Sequence, residues 1–255
     1  AAADPLRLDI LRVMSQDSFG VQELAAIFAI PQPGMSHHLK VLAKAGLLVT
    51  RRQGNSIFYR RALVKADSEF PDFQRSLFAT IGSLPLSEEY VARIQRIYED
   101  RSAQSRLYFE RNVDKFEENQ GMLCELTQYL PNLREMLDLS ELPKSSRVLE
   151  VGPGQGLLLK ELSKRFEQVV ALDSSEEMLA FTRGHVSPKE RIRFIQSSLE
   201  AFEPQGQVFD AVLLNMVLHH MASPQLAFQK LRQIVREGGY LLIADLCTHN
   251  QEWTR

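Results

Sequence analysis

The chain has 255 residues, 44% of them hydrophobic and 24% charged, and a formal net charge of −2. This composition is ordinary for a globular protein, and the length predicts two domains because single hydrophobic cores stop growing near this size. We see no apolar run long enough to cross a bilayer, no signal peptide, and too few cysteines for a disulfide framework or a cysteine zinc site, so we expect a cytoplasmic protein without a membrane partner.

The charge is distributed unevenly along the chain. Residues 1–66 carry nine Lys or Arg against four Asp or Glu, residues 67–143 carry eight against fifteen, and residues 144–255 carry thirteen of each. Only the first segment has the positive excess that a phosphate backbone attracts. Charge alone also fits an ordinary solvated surface, so the placement of the basic residues must decide.

The first 66 residues predict a winged helix-turn-helix. Pro5 can open a first helix, and the runs VQELAAIFAI and MSHHLKVLAKAG have helical spacing, with a break at Pro31–Gly34 between them and Gly46 as the terminator of the second. The runs LLVTRR and SIFYRRAL flank Gly54 and Asn55 and predict a β-hairpin. Helix, turn, helix and hairpin in this order are the plan of a winged helix-turn-helix.

The second helix of this motif has one apolar and one polar, basic face. Met35, Leu39 and Leu42 share a face that should pack against Leu24 and Ile27 of the helix before it. The opposite face and the four arginines of the hairpin, at positions 51, 52, 60 and 61, would meet a major groove and its phosphates. The alternative is a small helical domain with a solvated charged face. We expect DNA contacts from Gln32, Ser36, His37, Lys40, Arg51, Arg52, Asn55 and Arg60.

Three stretches resemble the ArsR family of bacterial repressors: ADPLRLDIL, VQELAAIFAIPQPGMSHHLKVLAKAGLL and RRQGNSIFYR. The resemblance implies a homodimer that binds a near-palindromic double-stranded operator and leaves it when an effector binds. Metal-sensing members place paired cysteines on the first helix of the motif, where this chain has Glu23–Ala26. Thiolates are the ligands that soft metals need, and the adjacent His37 and His38 cannot share a helix face, so we expect no metal site. We expect His37 to contact DNA and His38 to be half-buried.

Residues 67–143 predict an acidic helical connector. Ser87 is a suitable N-cap, followed by glutamates in the first turn where the helix dipole favours anions. A boundary between helices is expected near Leu84–Pro85, and a linker at 142–146. We expect this connector to carry dimerisation and coupling. Its predicted apolar face consists of Val91, Ile94, Ile97 and Tyr98.

Residues 144–255 predict a mostly parallel, doubly wound sheet. Five apolar β-type runs, RVLEVG, QVVALD, IRFIQS, FDAVLLN and YLLIADL, are separated by segments that include helical spacing, as in GLLLKELSKRF and SPQLAFQKLRQIV. Alternating strands and helices imply helices on both faces of such a sheet. The expected class is thus multidomain, α+β and α/β: a winged helix-turn-helix at 1–66, a helical connector at 67–143 and a Rossmann-like domain at 144–255.

The first of these strands runs directly into the glycine turn Gly152–Gly156 and then into a helix. Glycines let the backbone approach a ligand closely, and free helix amides favour polar or anionic groups. A dinucleotide fingerprint requires G-x-G-x-x-G, but Leu157 occupies the position of the third glycine, which disfavours a nicotinamide-binding redox sensor. The turn, with Glu150 two residues before it, instead resembles the first motif of class I SAM-dependent methyltransferases.

This second resemblance covers Arg147 to the C-terminus and implies a ligand, S-adenosylmethionine (SAM) or S-adenosylhomocysteine (SAH). It implies that the turn holds the methionine part, that Asp173 accepts both ribose hydroxyls, that Met178 packs on the adenine and that Asn215 lines the pocket. Ser198 stands where many relatives have an Asp that reads the adenine amino group. The expected cofactor residues are Glu150, Gly152, Gly154, Gly156, Asp173, Ser174, Met178, Ser198, Leu199 and Asn215.

The sequence leaves open whether this domain transfers methyl groups. Asn215–Leu218 lacks the N-P-P-aromatic motif of DNA base amino methylases, and His219–His220 offers a general base that methyl transfer does not require. We therefore assign no catalytic residue. The antiparallel hairpin that ends the family's sheet is not expected here, which leaves one wall of an acceptor pocket unaccounted for. Tyr108 and Phe116 are expected to form a lid.

Two functions from different classes follow. The first is a transcriptional repressor whose methyltransferase-like domain binds SAM or SAH as a nucleoside effector. The alternative is an active SAM-dependent methyltransferase of a small molecule, with the winged helix used for recruitment or autoregulation. The operator, the methyl acceptor, the preferred ligand and the sign of the response remain open at this point.

Overall fold

The structure, a computed structural model, describes residues 2–54, 56–66, 69–113, 126–187 and 191–246. They form two compact units, one from Ala1–Asp100 and one from Arg101–Asn250. The unit boundary lies within one long helix of the predicted connector. The division into three segments with boundaries at 66 and 143 stays a prediction.

The first unit is a winged helix-turn-helix, as predicted. Its sheet has the strand order β1-β3-β2 and is antiparallel throughout. Helix α3 begins at Gln32, three residues before the predicted start, because Pro33 is tolerated in a first turn. The elements are α1 (Pro5–Val13), β1 (Phe19–Gly20), α2 (Val21–Phe28), α3 (Gln32–Lys44), β2 (Leu48–Gln53), β3 (Ser56–Arg61), α4 (Pro71–Gly82) and the beginning of α5 (Glu88–Arg111).

The core of the first unit lies between α2 and α3, as the helical spacing predicted. All five predicted packing residues, Leu24 and Ile27 on α2 with Met35, Leu39 and Leu42 on α3, are fully buried in one cluster. Burial of this kind contributes about 1.5–3 kcal/mol for each large aliphatic side chain.

The first half of α5 packs against the same core, but with a face rotated from the predicted one. Ile94, Ile97 and Tyr98 pack there as predicted. Val91 is 52% exposed, so its predicted place on that face is wrong. Tyr90 takes that place, since its ring lies 4.8 Å from the ring of Phe28.

The second unit is a Rossmann-like fold, as predicted. Its five-stranded sheet has the order β6-β5-β4-β7-β8, and every pair is parallel. The elements are the end of α5, α6 (Leu126–Leu139), β4 (Arg147–Val151), α7 (Leu157–Arg165), β5 (Gln168–Asp173), α8 (Glu176–His185), β6 (Ile192–Gln196), β7 (Phe209–Asn215), a 3₁₀ turn (Leu218–His220), α9 (Pro224–Ile234) and β8 (Val235–Ala244).

Both faces of this sheet are covered. Leu133 and Leu137 of α6 and three leucines of α7 are buried on one face, and Ala227, Leu231 and Ile234 of α9 are buried on the other. The strand order reverses direction at β4, and in open parallel sheets ligands bind at the carboxyl ends of the strands beside such a point. The fold thus directs attention to the residues after β4, β5 and β7. Residues 247–255, where the expected absence of a final hairpin would be judged, lie outside the described residues.

Candidate functional site

Helix α3 presents a polar surface on the side away from its buried residues. Gln32, His37 and Lys40 are exposed and Ser36 is half-buried. His38 is half-buried, as expected, and its Nδ1 atom has no hydrogen-bond partner among the described residues. All four α3 residues that were predicted to contact DNA are thus at least partly exposed.

The basic residues of the hairpin are divided between its two faces. Arg51 lies opposite Phe58 and Arg60 opposite Val49, so Arg51 and Arg60 share one face because directly opposed residues point the same way. Arg52 points to the other face, and its Nε donates to the carbonyl oxygen of Gly54 at 3.2 Å. All three arginines are exposed.

The fourth arginine of the hairpin, Arg61, has a structural contact. It is half-buried, and its guanidinium lies 4.6 Å from the centre of the Phe78 ring on α4. Burial lowers the pKa of Arg61, whose cation remains charged at neutral pH. Asn55, a predicted DNA contact at the hairpin tip, lies outside the described residues.

In the second unit, the glycine turn after β4 requires glycine for two separate reasons. Gly152, Gly154 and Gly156 have φ of 64°, 52° and 70°, a left-handed conformation that side chains disfavour. A Cβ on Gly152 would lie 2.5 Å from Cγ2 of Val217, and one on Gly156 would lie 2.8 Å from Cγ1 of Val186. The turn is therefore tightly packed against Val217 and Val186.

Glu150, two residues before this turn, is a buried carboxyl group in β4. It is 1% exposed, and its Oε2 has no hydrogen-bond partner among the described residues. Burial raises its pKa well above the usual value. An unpartnered buried oxygen beside a glycine turn is matched by a ligand that brings a hydrogen-bond donor or a positive charge.

Asp173 ends β5 at the same edge of the sheet. Its Oδ1 accepts a hydrogen bond from the backbone N–H of Ser175 at 2.9 Å. Burial raises the pKa of Asp173 to about 6, against the opposing effect of hydrogen bonds from the Ser175 and Ser174 backbone. Asp173 and Ser174 are both half-buried, so the carboxylate is accessible to a ligand that donates hydrogen bonds.

Three further predicted residues lie on the elements next to Asp173. Met178, on α8, is 3% exposed, and its backbone N–H donates to Oγ of the helix cap Ser175 at 3.1 Å. Ser198 follows β6 and accepts a hydrogen bond from the backbone N–H of Ala201 at 3.2 Å, while Leu199 is 3% exposed within the core. The predicted adenine contacts of these residues remain predictions.

Asn215 ends β7, and its side chain is held by a residue that sequence reasoning missed. The hydroxyl of Tyr129, on α6, donates to Oδ1 of Asn215 at 2.9 Å. Tyr129 lies in the segment that the sequence assigned to a connector. The residues next to Tyr129 in sequence form no motif that would have predicted its contact with the end of β7.

A second missed residue, Asp245, pairs with His219. Nδ1 of His219 lies 2.6 Å from Oδ1 of Asp245, and the His219 backbone N–H donates to Oδ2 at 3.3 Å. Burial alone would raise the pKa of Asp245, but hydrogen bonds from His219 and Leu246 lower it below the usual value. Asp245 follows β8 as Asp173 ends β5, so the rule that polar residues at strand ends mark a site would have found it.

His220 and the predicted lid lie beside this pair. The His220 ring is 3.9 Å from the His219 ring and 4.8 Å from that of Phe109. The surrounding protein desolvates His220 and lowers its pKa to about 4, so it is neutral at pH 7. Tyr108, predicted for the lid, is 54% exposed, whereas its neighbour Phe109 makes the contact. Phe116 lies outside the described residues.

A cavity of about 430 Å³ lies at the other end of the sheet. Arg147, Gln168 and Phe209, at the amino ends of β4, β5 and β7, line it. It is therefore separate from the glycine turn at the carboxyl ends.

Within the described residues, no group of three or more His, Cys, Asp or Glu side chains is placed to hold a metal ion. None of the helices that the described residues form is long and apolar enough to span a membrane.

Two family models match separate parts of the chain. Residues 2–51 match the family model of a helix-turn-helix domain. Residues 149–243 match the family model of a methyltransferase domain. The matched ranges contain helices α2 and α3 in one case and the sheet with the glycine turn in the other.

Individual relatives are methyltransferases. A ubiquinone biosynthesis O-methyltransferase of Vibrio cholerae is 28% identical over 141 residues, which are 54% of this chain and 58% of that protein. An uncharacterised methyltransferase of Mycobacterium bovis is 35% identical over 103 residues, 40% of this chain and 51% of its own. The solved DhpI–SAM–HEP complex aligns with 58% of this chain and 67% of its own at a TM-score of 0.49 and 25% identity. The chain spans about half the length of the curated relatives it matches.

Proposed function

From a helix-turn-helix domain joined to a methyltransferase domain, we propose a DNA-binding transcriptional regulator, of the ArsR type and acting as a repressor, whose methyltransferase domain binds SAM or SAH as its effector. The observation that carries this proposal is the glycine turn with two carboxyl groups beside it in the chain: Glu150, whose buried Oε2 has no hydrogen-bond partner among the described residues, and the half-buried Asp173. We propose that the protein acts in the cytoplasm as a homodimer.

The proposal for DNA rests on the surface of the first unit. Exposed His37 and Lys40 on α3 and exposed Arg51, Arg52 and Arg60 on the hairpin are the side chains that a winged helix presents to base edges and phosphates. The division of the arginines between two hairpin faces supports backbone contacts for the wing rather than a single base-reading surface.

The residues of the second unit fit a SAM-type nucleoside. The glycine turn follows Glu150 by two residues, and the Oε2 atom of Glu150, which has no hydrogen-bond partner among the described residues, suits the amino group of a methionine moiety. The carboxylate of Asp173 suits two ribose hydroxyls, which are donors, when it is ionised. Asn215, fixed by Tyr129, would line the pocket next to them. A bound SAM supplies an electrophilic methyl group, whereas SAH lacks it.

Helix α5 is the element that we propose to couple the two sites. Residues 88–100 of this helix belong to the first unit and residues 101–111 to the second. Its Phe109 contacts His220 beside the proposed nucleoside site, and its Tyr90 packs on Phe28 of α2. A helix that packs on the core of the first unit and contacts His220 in the second gives an effector a physical route to the reader, which allostery requires.

The decisive experiment is a paired titration on the full chain. Calorimetry with SAM and with SAH would establish ligand binding, and an operator selected from random duplexes would then be titrated with and without saturating ligand. We expect at least a fivefold change in operator affinity, the lower range of typical allosteric coupling. Equal operator affinity in both conditions would refute the effector role while leaving the nucleoside site intact.

A second candidate function is SAM-dependent methylation of a small molecule, with the winged helix used for recruitment or autoregulation. The specific observation that favours it is the pair of His219 and Asp245, since an oriented imidazole is a common general base. The relatives named as O-methyltransferases support it as well. Incubation with labelled SAM and a metabolite panel would show transfer of label if this candidate holds.

A further inference from the structure

The cavity at the amino ends of β4, β5 and β7, called the amino-end cavity from here on, combines three arginine side chains with buried aromatic rings. We propose that it is a second small-molecule site of this unit and takes an organic phosphate, that is, a phosphate monoester on an apolar body. The proposed nucleoside site lies at the opposite ends of the same strands, so neither site depends on the other.

The arginines of the amino-end cavity lie on one face of the sheet. In the parallel register, Arg147 of β4 is next to Gln168 of β5, and Val170, two residues further along β5, is next to Arg193 of β6. Register partners, and every second residue of a strand, point to the same face. Arg191 directly precedes β6, two residues before Arg193, and lines the same cavity.

The spacing of the strands allows these arginines to share one anion. Only β5 lies between β4 and β6, so the backbones that carry Arg147 and Arg193 belong to strands about 10 Å apart. Arginine side chains are long and flexible enough to meet on a common ligand across this distance. The ligand group that they would share must therefore accept hydrogen bonds from more than one side.

The carboxylates of the amino-end cavity do not neutralise its arginines. Glu167 and Glu203 are the acidic residues that line it. Glu203 pairs with Lys230 on α9, with 2.7 Å between Oε1 and Nζ. In the described part of the chain, neither glutamate forms an ion pair with any of the three arginines.

A further carboxylate near the amino end of β4 is also occupied. Oδ2 of Asp210 accepts a hydrogen bond from the backbone N–H of Arg147 at 2.7 Å, and its Oδ1 pairs with the guanidinium of Arg236. The guanidinium of Arg147 thus gains no ion pair from it. Like charges that are close together repel, so a bound anion would lower the energy of the folded chain.

The interior of the amino-end cavity is apolar. The Phe202 and Phe209 rings lie 6.2 Å apart, and both side chains are buried, as is Val170. Arg191 and Arg193, in contrast, are exposed. An apolar interior with a few charged groups and a volume of about 430 Å³ is typical of small-molecule sites.

The number of arginines favours a phosphate over a carboxylate. Arginine forks bind both groups in bidentate fashion. A carboxylate has one charge and two oxygens, whereas a phosphate monoester has a charge of about −1.5 to −2 at pH 7 and three strong acceptor oxygens. Three forks therefore match the monoester better, and its organic part would cover the buried rings.

The first test is calorimetry on the full chain at fixed ionic strength with four probes: phenyl phosphate, inorganic phosphate, benzoate and phenol. Phenyl phosphate should bind most tightly, and phenol should not bind. Benzoate that binds as tightly as phenyl phosphate would overturn the choice of a phosphate group. Inorganic phosphate of equal affinity would overturn the role of the apolar interior.

The second test uses variants of the exposed arginines, which carry little risk of unfolding. Arg191→Gln and Arg193→Gln should each lower the affinity for phenyl phosphate roughly tenfold or more, the usual effect of losing a hydrogen bond to a charged group. Arg232→Gln is the matched control, because Arg232 is exposed on α9 and does not line the amino-end cavity. It should bind phenyl phosphate like the wild type.

Two results of this comparison would overturn the site. Unchanged affinity in both Arg191→Gln and Arg193→Gln would place the phosphate elsewhere, such as on the basic hairpin of the first unit. An equal loss in Arg232→Gln would mean that the overall charge, not the amino-end cavity, attracts the probe.

The last experiment separates this site from the proposed nucleoside site. With SAH saturating, phenyl phosphate should still bind to the full chain with the same stoichiometry, and competition between the two ligands would overturn a separate site. If the chain binds no SAH, the proposed function fails, while the arginine variants still decide the fate of the amino-end cavity.

Discussion

At the residue scale, the two carboxyl groups within β4 and at the end of β5 are costly features of the unliganded protein. Glu150 is buried, with no hydrogen-bond partner for Oε2 in the described part of the chain, and Asp173 is held in surroundings that raise its pKa to about 6. Desolvation of a carboxylate opposes folding, and such perturbed groups concentrate at functional sites. We attribute both features to a ligand site whose donors complete the hydrogen bonding.

Asp173→Asn should therefore stabilise the unliganded second unit while abolishing nucleoside binding. The pKa of Asp173 is higher in the folded chain than the ordinary 3.8, so its ionisation destabilises the fold as the pH rises from about 4 through 6. At pH 7.5 the substitution should raise the free energy of unfolding by about 1–3 kcal/mol, since one pKa unit corresponds to about 1.4 kcal/mol. Chemical denaturation at pH 7.5 and pH 4 checks this, because the gain should vanish at pH 4.

The same pKa predicts how wild-type binding depends on pH. Ribose hydroxyls donate to the ionised carboxylate, so SAH affinity should fall as the pH drops below about 6 and level off above about 7. Calorimetry between pH 5 and 8 measures it. An affinity that is flat across this range would contradict the role of Asp173 as the ribose acceptor.

Gly152→Ala tests the packing of the glycine turn. A Cβ at this position would lie 2.5 Å from Val217 in a left-handed conformation, so we expect a loss of about 2–4 kcal/mol in stability of the second unit. Gly206→Ala has a similar φ of 77° and no atom within 4 Å, and it should lose only about 1 kcal/mol. Combining Gly152→Ala with Val217→Ala should recover part of the loss. No recovery in thermal unfolding would show that strain, not the clash, dominates.

At the element scale, the hairpin shows how register assigns roles that spacing leaves undivided. The pairing of β2 with β3 sends Arg51 and Arg60 to one face and Arg52 to the other. It also brings Arg61 over the Phe78 ring. The four arginines looked equivalent in sequence, yet Arg51, Arg52 and Arg60 are exposed whereas Arg61 is half-buried.

Arg52→Ala should weaken binding to all DNA sequences alike and lower the salt slope of log affinity by about one, the effect of removing one phosphate contact. Arg75→Ala is the matched control, because Arg75 is exposed on α4 and pairs with Asp72. It removes the same charge without touching the hairpin. Fluorescence anisotropy over a range of salt concentrations measures both, and a loss confined to one operator sequence would refute a phosphate contact by Arg52.

At the scale of the whole molecule, the coupling proposal makes a reciprocal prediction. If saturating SAH changes operator affinity by some factor, operator DNA must change SAH affinity by the same factor. SAH at 100 times its Kd should also stabilise the second unit by about 2.7 kcal/mol. Asp173→Asn should show neither effect. Calorimetry with SAH in the presence and absence of operator checks the factor, and unequal factors would mean that more than one linked process is being measured.

Sequence patterns alone determined the winged helix, the doubly wound sheet and the glycine turn, because helical and strand periodicity and glycine spacing are local properties of the chain. Only the tertiary structure decided which face of α5 is buried, that Tyr129 holds Asn215, and that Asp245 orients His219. These pairs lie 86 and 26 residues apart in sequence. Such contacts depend on strand order and on which helix covers which face, so no local pattern encodes them.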